Sequence, residues 1–242
     1  MTWQGNWVIK RDGFASARRV LEIGAGAFET SLYLAIKFPD KEFVSVDFVL
    51  SANALKNFAD IPQNLTIVKH DARDFGIFST DYFDFAFSVA VVEHIRELEE
   101  HLKETHRIVR KGGRYDFWVA PFWSSSMGHH CYHWRADCPI PHYSHLYLTK
   151  DEMSEFLQSR LPKNSVSEAL YLLYERGDLA RLNRADVYEI VKNSEFSLIE
   201  WEDEKDQNYS EEFVSKVLAS NIYGVIREDM PFKGAKVSLM KN

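Results

Sequence analysis

Cysteine is scarce in this sequence, with only two among 242 residues, Cys131 and Cys138. A small secreted domain held together by disulfides would carry more of them. The sequence has no apolar run of the roughly 18 residues that a membrane-spanning helix needs, and its first residues do not resemble a signal peptide. These absences predict a cytoplasmic protein without a membrane span.

Positive charge is also in short supply. Lysine and arginine total 29 against 36 aspartates and glutamates, which gives a formal net charge of −7. A nucleic-acid interface normally depends on an excess of positive charge, so we expect no nucleic-acid partner. The hydrophobic fraction of 45% and the charged fraction of 27% are those of a globular protein.

Strand-like and helix-like patterns alternate through the first half of the chain. The predicted strands are residues 19–23, 42–47, 65–70, 83–88 and 114–120. The predicted helices between them are residues 30–38, 51–59 and a third from residue 95 that ends at Lys111-Gly112-Gly113. This order predicts βαβ units and a parallel sheet. Ligands of such sheets bind beyond the carboxyl ends of the strands.

The regular alternation stops after the fifth strand. Residues 122–149 are rich in histidine, proline and aromatic side chains and have no periodicity, which is typical of a functional loop. Helices are then predicted over 151–160, over 167–193 with a possible interruption at Gly177, and over 211–220. A strand is predicted over 196–203, and a last strand over either 222–227 or 236–240.

The first predicted strand runs into a glycine-rich turn, Gly24-Ala25-Gly26. Glycines let the backbone turn sharply and approach a ligand closely, and the following helix presents free N–H groups to it. The dinucleotide fingerprint is not satisfied, because Glu29 stands where its third glycine would be and would repel a pyrophosphate. The turn therefore predicts a cofactor without phosphates, unless it is only a tight strand-to-helix connection.

Acidic residues follow the next two strands. Asp47 comes 21 residues after Gly26, where a carboxylate can accept hydrogen bonds from both hydroxyls of a ribose. Asp71 follows the third strand, where it can accept from the exocyclic amine of adenine. The alternatives are that Asp47 caps the next helix and that Asp71 belongs to a polar turn.

Five motifs together resemble the class I S-adenosylmethionine-dependent methyltransferases of the methyltransferase type 11 family. They are VLEIGAG at 20–26, VSVDF at 44–48, HDARDF at 70–75, FDFAFSVAVVEHI at 83–95 and LKETHRIVRKGGRY at 102–115. The resemblance implies an α/β, Rossmann-like fold with a mostly parallel seven-stranded sheet flanked by helices. It also implies S-adenosylmethionine as cofactor and S-adenosylhomocysteine as product.

The resemblance also implies roles for individual residues. Gly24 and Gly26 would approach the methionine part of the cofactor, and the Ser88 backbone would face its amino group. Asp47 would hold the ribose, Phe48 would lie against the adenine, and Asp71 with Ala72 would meet the polar edge of the base. The predicted cofactor-binding set is Glu22, Gly24, Ala25, Gly26, Asp47, Phe48, Asp71, Ala72 and Ser88. One departure is Phe28, which stands where the family often has a third glycine.

We expect one methyltransferase domain over residues 1–242. Within it, residues 1–18 would form an N-terminal lid and residues 19–120 the cofactor-binding half. Residues 121–195 would form an acceptor-binding insertion rich in histidine and aromatic residues, and residues 196–242 would supply the strands that complete the sheet.

The insertion holds five of the nine histidines: His129, His130, His133, His142 and His145. A neutral histidine can take the proton of an alcohol acceptor near pH 7, so His129 or His130 is predicted to be the catalytic base. Trp123, His133, Arg135 and His145 are predicted to bind the acceptor. Two alternatives remain: a metal site that includes His129 and His133, and a packed loop in which the rings are structural. We predict no metal.

The resulting hypothesis is methylation of an oxygen atom on a small molecule, by in-line transfer assisted by histidine. Family members with a similar Gly-His-His stretch act near sugar and cell-surface polysaccharide pathways, which indicates a sugar, a polysaccharide precursor or its phosphate-type substituent as acceptor. The alternatives are a natural-product phenol or a nitrogen acceptor, a non-catalytic subunit that binds S-adenosylmethionine, and a nicotinamide dehydrogenase, which Glu29 disfavours.

Overall fold

Seven strands form one sheet in the order β3-β2-β1-β4-β5-β7-β6. The computed structural model describes residues 2–49, 61–131, 140–220 and 222–242. The strands are β1 Arg19–Ile23, β2 Glu42–Asp47, β3 Leu65–Lys69, β4 Phe83–Val89, β5 Val109–Val119, β6 Ser197–Lys205 and β7 Phe232–Met240. The pairs β1·β2, β1·β4, β2·β3 and β4·β5 are parallel. The predicted fold class, a mostly parallel Rossmann-like sheet of seven strands, is confirmed.

Helices precede, connect and follow these strands. They are α1 Trp3–Ile9, α2 Glu29–Lys37, α3 Leu98–Ile108, α4 Ser144–Tyr147, α5 Lys150–Gln158, α6 Lys163–Leu170, α7 Arg184–Lys192 and α8 Glu211–Ser220. The helix predicted over residues 51–59 lies outside the described residues. Among the helices of the described ranges, none combines the length and the apolar character that crossing a bilayer requires.

The chain divides into two compact units. The first, called the cofactor unit below, contains residues 1–118, 189–201 and 236–242. The second, called the histidine unit, contains residues 119–188 and 202–235. The expectation of a single domain with a lid and an insertion stays a prediction.

The centre of the cofactor unit is a strand buried on both faces. Residues Val20 to Ile23 of β1 are all buried, as expected for a parallel strand with helices on both sides. Val20 belongs to a cluster with Leu34 of α2, Phe43 of β2 and Phe85 of β4. This core fixes the carboxyl ends of β1, β2 and β4 relative to one another.

The predicted boundary between α3 and β5 is wrong. The helix ends at Ile108, and the strand already begins at Val109. Val109 pairs with Phe83 and Arg114 pairs with Phe85, so residues 110–113 bulge out of the strand. The glycines at Gly112 and Gly113 therefore mark this bulge and not the end of a helix.

The structure also resolves the last strand, which is β7 and contains the second of the two predicted alternatives. The long helix predicted over 167–193 is interrupted. A π-helical turn, Tyr171–Glu175, follows α6, and α7 begins only at Arg184.

Candidate cofactor site and histidine segment

The glycine turn after β1 is packed on one side and open on the other. Gly24 has φ +72°, and a Cβ there would lie 2.3 Å from a methyl group of Val91. Gly26 has φ +52°, and a Cβ there would meet no atom within 4 Å among the described residues. Both backbones favour glycine. Only Gly26 leaves open space in which a ligand can approach the main chain.

Asp47 ties the end of β2 to this turn. Its Oδ2 atom accepts a hydrogen bond of 2.7 Å from the Gly26 N–H, and its Oδ1 atom accepts one of 2.8 Å from the Val49 N–H. The next residue, Phe48, is 66% exposed although its side chain is large and apolar. A carboxylate and an exposed ring thus stand side by side at the end of β2.

Glu22 of β1 is buried, with 7% exposure. Its Oε2 atom accepts hydrogen bonds from the Ser31 hydroxyl, from the Ser31 N–H at 3.2 Å and from the Ser45 hydroxyl at 3.4 Å. Burial raises the pKa of Glu22 to about 7, against the opposing effect of these donors. Glu22 therefore links β1, β2 and the first turn of α2 from inside the unit, and its side chain is not an open ligand contact.

Asp71, after β3, is held by an arginine two residues later. Arg73 donates from Nε to Oδ1 at 2.9 Å and from Nη2 to Oδ2 at 2.6 Å, and its Nη1 donates to Glu97 at 2.6 Å. The hydrogen bonds from Arg73 lower the pKa of Asp71. The carboxylate is thus ionised and oriented, with further lone pairs left to accept from a ligand.

Ser88, near the end of β4, is fully buried and forms a hydrogen bond with a tyrosine. Its hydroxyl lies 2.9 Å from the Tyr115 hydroxyl of β5, which lies 2.9 Å from Nε2 of His101 in α3. The Nδ1 atom of His101 lies 2.7 Å from the carbonyl oxygen of Ala72. Burial lowers the pKa of His101 to about 4, so this ring is neutral near pH 7.

The structure therefore brings the nine predicted cofactor-binding residues to the carboxyl ends of four neighbouring strands, β3, β2, β1 and β4. Sequence reasoning missed the residues that hold them in place: Ser31, Ser45, Arg73, His101 and Tyr115. Signals existed for two of these five residues. Arg73 is two residues from Asp71, and parallel pairing of β1 with β2 brings Glu22 beside Ser45.

In the histidine unit, His129, His145 and Trp123 pack together in the interior. His129 is 1% exposed and His145 is fully buried, and the His145 ring lies 5.3 Å from His129 and 4.5 Å from Trp123 between centroids. The backbone N–H of Cys131 donates to Nδ1 of His129 at 2.9 Å, while Nε2 of His145 donates to the Trp123 carbonyl at 2.8 Å.

These contacts fix the proton positions on both rings. In its neutral form His129 accepts at Nδ1 and so carries its proton on Nε2. Burial, followed by the nearby His145, lowers the pKa of His129 well below the ordinary value, and burial lowers that of His145 to about 3. Both rings are therefore neutral near pH 7.

His130 has the opposite arrangement. Its Nδ1 lies 2.8 Å from the Gly128 carbonyl oxygen, which can only accept, so the neutral ring carries its proton on Nδ1 and a lone pair on Nε2. Its backbone has φ +56°. The predicted acceptor-binding residues His133 and Arg135 lie outside the described residues.

The segment that carries these histidines is held by a carboxylate. Asp206 is buried and accepts from the Ser126 N–H at 2.6 Å, from the Ser126 hydroxyl at 2.9 Å and from the Tyr143 hydroxyl at 2.8 Å. With a fourth hydrogen bond from the Asn208 N–H at 3.0 Å, these contacts make the buried carboxylate a rigid anchor. The residues just before His129 are thus fixed within the unit.

The sheet order and the arrangement of the strand ends are those of a class I methyltransferase fold. Residues 21–117 match the family model described as "Methyltransferase domain". The resemblance identified from the five motifs is confirmed.

Three known proteins illustrate the similarity. The ribosomal RNA small subunit methyltransferase G of Petrotoga mobilis is 36% identical over 91 residues, which cover 36% of this chain and 40% of that protein. The chain thus matches less than half the length of this curated relative. Geranyl diphosphate C-methyltransferase from Streptomyces coelicolor, solved with S-adenosyl-L-homocysteine, is 10% identical with a TM-score of 0.57, covering 99% of this chain and 77% of that chain. The [4+2]-cyclase SpnF is 13% identical with a TM-score of 0.56, covering 98% and 79%.

The cofactor predicted from the sequence, S-adenosylmethionine, is confirmed as that of the family. The residues of the cofactor unit fit it. Open space above Gly26 admits a ligand to the main chain, the Phe48 ring is exposed, and Asp47 and Asp71 supply carboxylates at the end of β2 and after β3.

Proposed function

We propose that this chain is an S-adenosylmethionine-dependent methyltransferase that methylates an oxygen atom of a small molecule, such as a sugar, a cell-surface polysaccharide precursor or its phosphate-type substituent. The observation that carries the methyltransferase part is the cluster of Gly26, Asp47, Phe48 and Asp71 at neighbouring strand ends. S-adenosylmethionine supplies a methyl group on a sulfonium, which is already activated for displacement.

The cofactor unit would bind and orient this donor. Asp47 would accept from the ribose hydroxyls, since its oxygens have lone pairs beyond those used by Gly26 and Val49. Phe48 would stack on the adenine, and Asp71 would accept from the exocyclic amine of the base. Alignment of donor and acceptor can lower the activation free energy of such a transfer by on the order of 7–11 kcal/mol.

His130 is the better candidate for the catalytic base. The Gly128 carbonyl keeps the proton on Nδ1 and therefore the lone pair on Nε2, where the ring can take a proton from an acceptor hydroxyl. His129 has its lone pair directed at the Cys131 N–H. The contacts of His129 and His145 instead support the interpretation that these two rings, with Trp123, are structural.

A base is needed for an oxygen acceptor because the hydroxyl must lose its proton as the methyl group arrives. The net charge of −7 argues against a nucleic-acid acceptor. The relative from Petrotoga mobilis is nevertheless named for ribosomal RNA, so RNA belongs in any test of the acceptor.

The experiment is transfer of an isotopically labelled methyl group from S-adenosylmethionine to four acceptor classes: sugars and sugar phosphates, phenols, amines, and small-subunit RNA. Labelled methyl on a sugar or phosphate oxygen supports the proposal. Labelled methyl on RNA, an amine or a phenol would contradict the proposed acceptor and identify a different acceptor class. Tight binding of S-adenosylhomocysteine with no transfer to any class indicates a non-catalytic binding subunit. Failure of the protein to bind either S-adenosylmethionine or S-adenosylhomocysteine would contradict the proposed activity itself.

A further inference from the structure

Three buried side chains of the cofactor unit form one hydrogen-bonded chain between two strand ends. The chain runs from Ser88 through Tyr115 and His101 to the carbonyl oxygen of Ala72, with heavy-atom distances of 2.9, 2.9 and 2.7 Å. The side chains of Ser88, Tyr115 and His101 have no solvent exposure. None of these contacts is needed to form a strand or a helix, so their role has to be sought elsewhere.

The direction of every hydrogen bond in this chain is determined. A carbonyl oxygen only accepts, so Nδ1 of His101 donates to Ala72. The neutral ring then accepts at Nε2, which requires Tyr115 to donate its hydroxyl proton to it. The Tyr115 oxygen in turn accepts from Ser88. Each group has one role, and the chain has no alternative arrangement while His101 is neutral.

The start of α3 forms two hydrogen bonds with the turn after β3. His101 binds the Ala72 carbonyl from the buried side, and Glu97, which directly precedes the helix, binds Arg73 at 2.6 Å. Arg73 in turn holds both oxygens of Asp71. The backbone at Ala72 and the carboxylate of Asp71 are therefore both positioned from the start of α3.

We propose that His101 is a positioning residue for recognition of the adenine base, because it fixes the turn at Asp71 and Ala72 through the Ala72 carbonyl. This inference rests on the proposed function, in which that turn faces the polar edge of adenine. A fixed Asp71 carboxylate accepts from a 6-amino group and repels a 6-oxo group. The pocket should therefore prefer adenosine-type ligands to inosine-type ligands, and the preference should depend on His101.

Tyr115 and Ser88 complete the arrangement. With its hydroxyl proton donated to His101, Tyr115 keeps the imidazole in the tautomer that donates to Ala72. Replacement of Tyr115 by phenylalanine leaves the hydrogen bond from His101 to Ala72 possible but removes the donor to Nε2 that stabilises the Nδ1-protonated tautomer. We therefore expect Tyr115→Phe to have a smaller effect than loss of the imidazole.

The test compares the affinities for S-adenosylhomocysteine and S-inosylhomocysteine by calorimetry. The ratio of the two dissociation constants is the readout, because it cancels the folded fraction and general damage to the pocket. His101→Leu removes both hydrogen bonds, whereas His101→Asn keeps a donor near the position of Nδ1. Thr105→Val is the matched control, since Thr105 lies fully buried on the same helix and its hydroxyl has no hydrogen-bond partner among the described residues.

We expect the wild type and Thr105→Val to share one ratio that favours the adenine ligand. His101→Leu should reduce this ratio by about tenfold, as expected when a site built to pair a polar group loses its alignment, and His101→Asn should recover part of it. An unchanged ratio in His101→Leu would overturn the positioning role. A wild type that binds neither ligand would instead overturn the proposed function.

A measurement on the wild type keeps the inference testable if the leucine variant does not fold. Nitrogen-15 NMR of the imidazole distinguishes the two neutral tautomers. We expect the proton of His101 on Nδ1, and a proton on Nε2 would contradict the hydrogen-bond chain and with it the proposal.

Discussion

The Oδ2 atom of Asp47 accepts a hydrogen bond of 2.7 Å from the backbone N–H of Gly26. The residue predicted to bind ribose and the turn predicted to approach the methionine part of the cofactor are therefore in direct contact. Since β1 and β2 are paired in parallel, both lie at the same edge of the sheet. Substitution of Asp47 should therefore alter the conformation of the glycine turn as well as the affinity for the ligand.

Replacement of Asp47 by alanine removes an acceptor for the ribose hydroxyls and the anchor of the Gly26 N–H. We expect the affinity for S-adenosylhomocysteine to fall by about 10- to 100-fold, the range for hydrogen bonds to a charged group. Calorimetry measures this change. Asp47→Asn should lose less affinity, because the amide oxygen can still accept from the Gly26 N–H. Wild-type affinity in the alanine variant would contradict the ribose assignment.

The two glycines of the turn should respond differently to alanine. In Gly24→Ala the new methyl group meets Val91, so we expect a large loss of folding stability, measured by urea denaturation. In Gly26→Ala the backbone strain is only about 1–2 kcal/mol, and the methyl group enters open space. Its main effect should be weaker cofactor binding. Equal losses of stability in the two variants would contradict this distinction.

Glu22 should make the folding stability depend on pH. Its pKa is about 7 in the folded protein and about 4.5 when unfolded, so the folded state binds more protons between these values. Stability should therefore decrease as pH rises from about 4.5 to 7. Glu22→Gln removes this contribution while its carbonyl oxygen can still accept from Ser31.

The comparison of wild type with Glu22→Gln by urea denaturation isolates this effect, since all other groups are shared. At pH 8 the glutamine variant should be more stable, by on the order of 3 kcal/mol. The difference at pH 8 should exceed that at pH 4.5 by about this amount. A stability difference that stays the same at both pH values would show that the buried carboxyl does not titrate in this range.

His130 and His129 form a natural pair of matched variants. His130→Ala should reduce turnover by about 100- to 10,000-fold, the usual contribution of a general base, with little change in the affinity for S-adenosylhomocysteine. His129→Ala should mainly reduce the free energy of unfolding, because the ring is buried and accepts from the Cys131 N–H. Turnover assays and denaturation of both variants test this, and an unchanged rate in His130→Ala would reject it as the base.

Much of the candidate cofactor site could be predicted from the sequence because it consists of local signals at strand ends. The runs that form β1, β2 and β4 are short and apolar, and in each case the residues predicted to bind the ligand lie at or beside the strand end. Parallel pairing then brings these ends to one edge of the sheet. The turn at Gly24 and the acidic residues Asp47 and Asp71 needed no knowledge of long-range contacts.

The bulge in β5 shows where local reasoning failed. Basic residues followed by glycine are typical of a helix end, but pairing with β4 draws Val109 into the strand, and only the tertiary structure shows that register. The sequence also left open whether the last strand covers residues 222–227 or 236–240. The tertiary structure decides this, because β7 lies between β5 and β6 in the sheet.

The sequence by itself determined the positions of the first four strands, the cofactor class and the identity of the groups at the strand ends, because these follow from patterns within a few residues. The tertiary structure decided which groups are buried and how their protons are arranged. His129 and His130 are neighbours of the same type, yet one accepts at Nδ1 and the other donates there. Such differences arise from backbone partners that the fold supplies, and no spacing in the sequence encodes them.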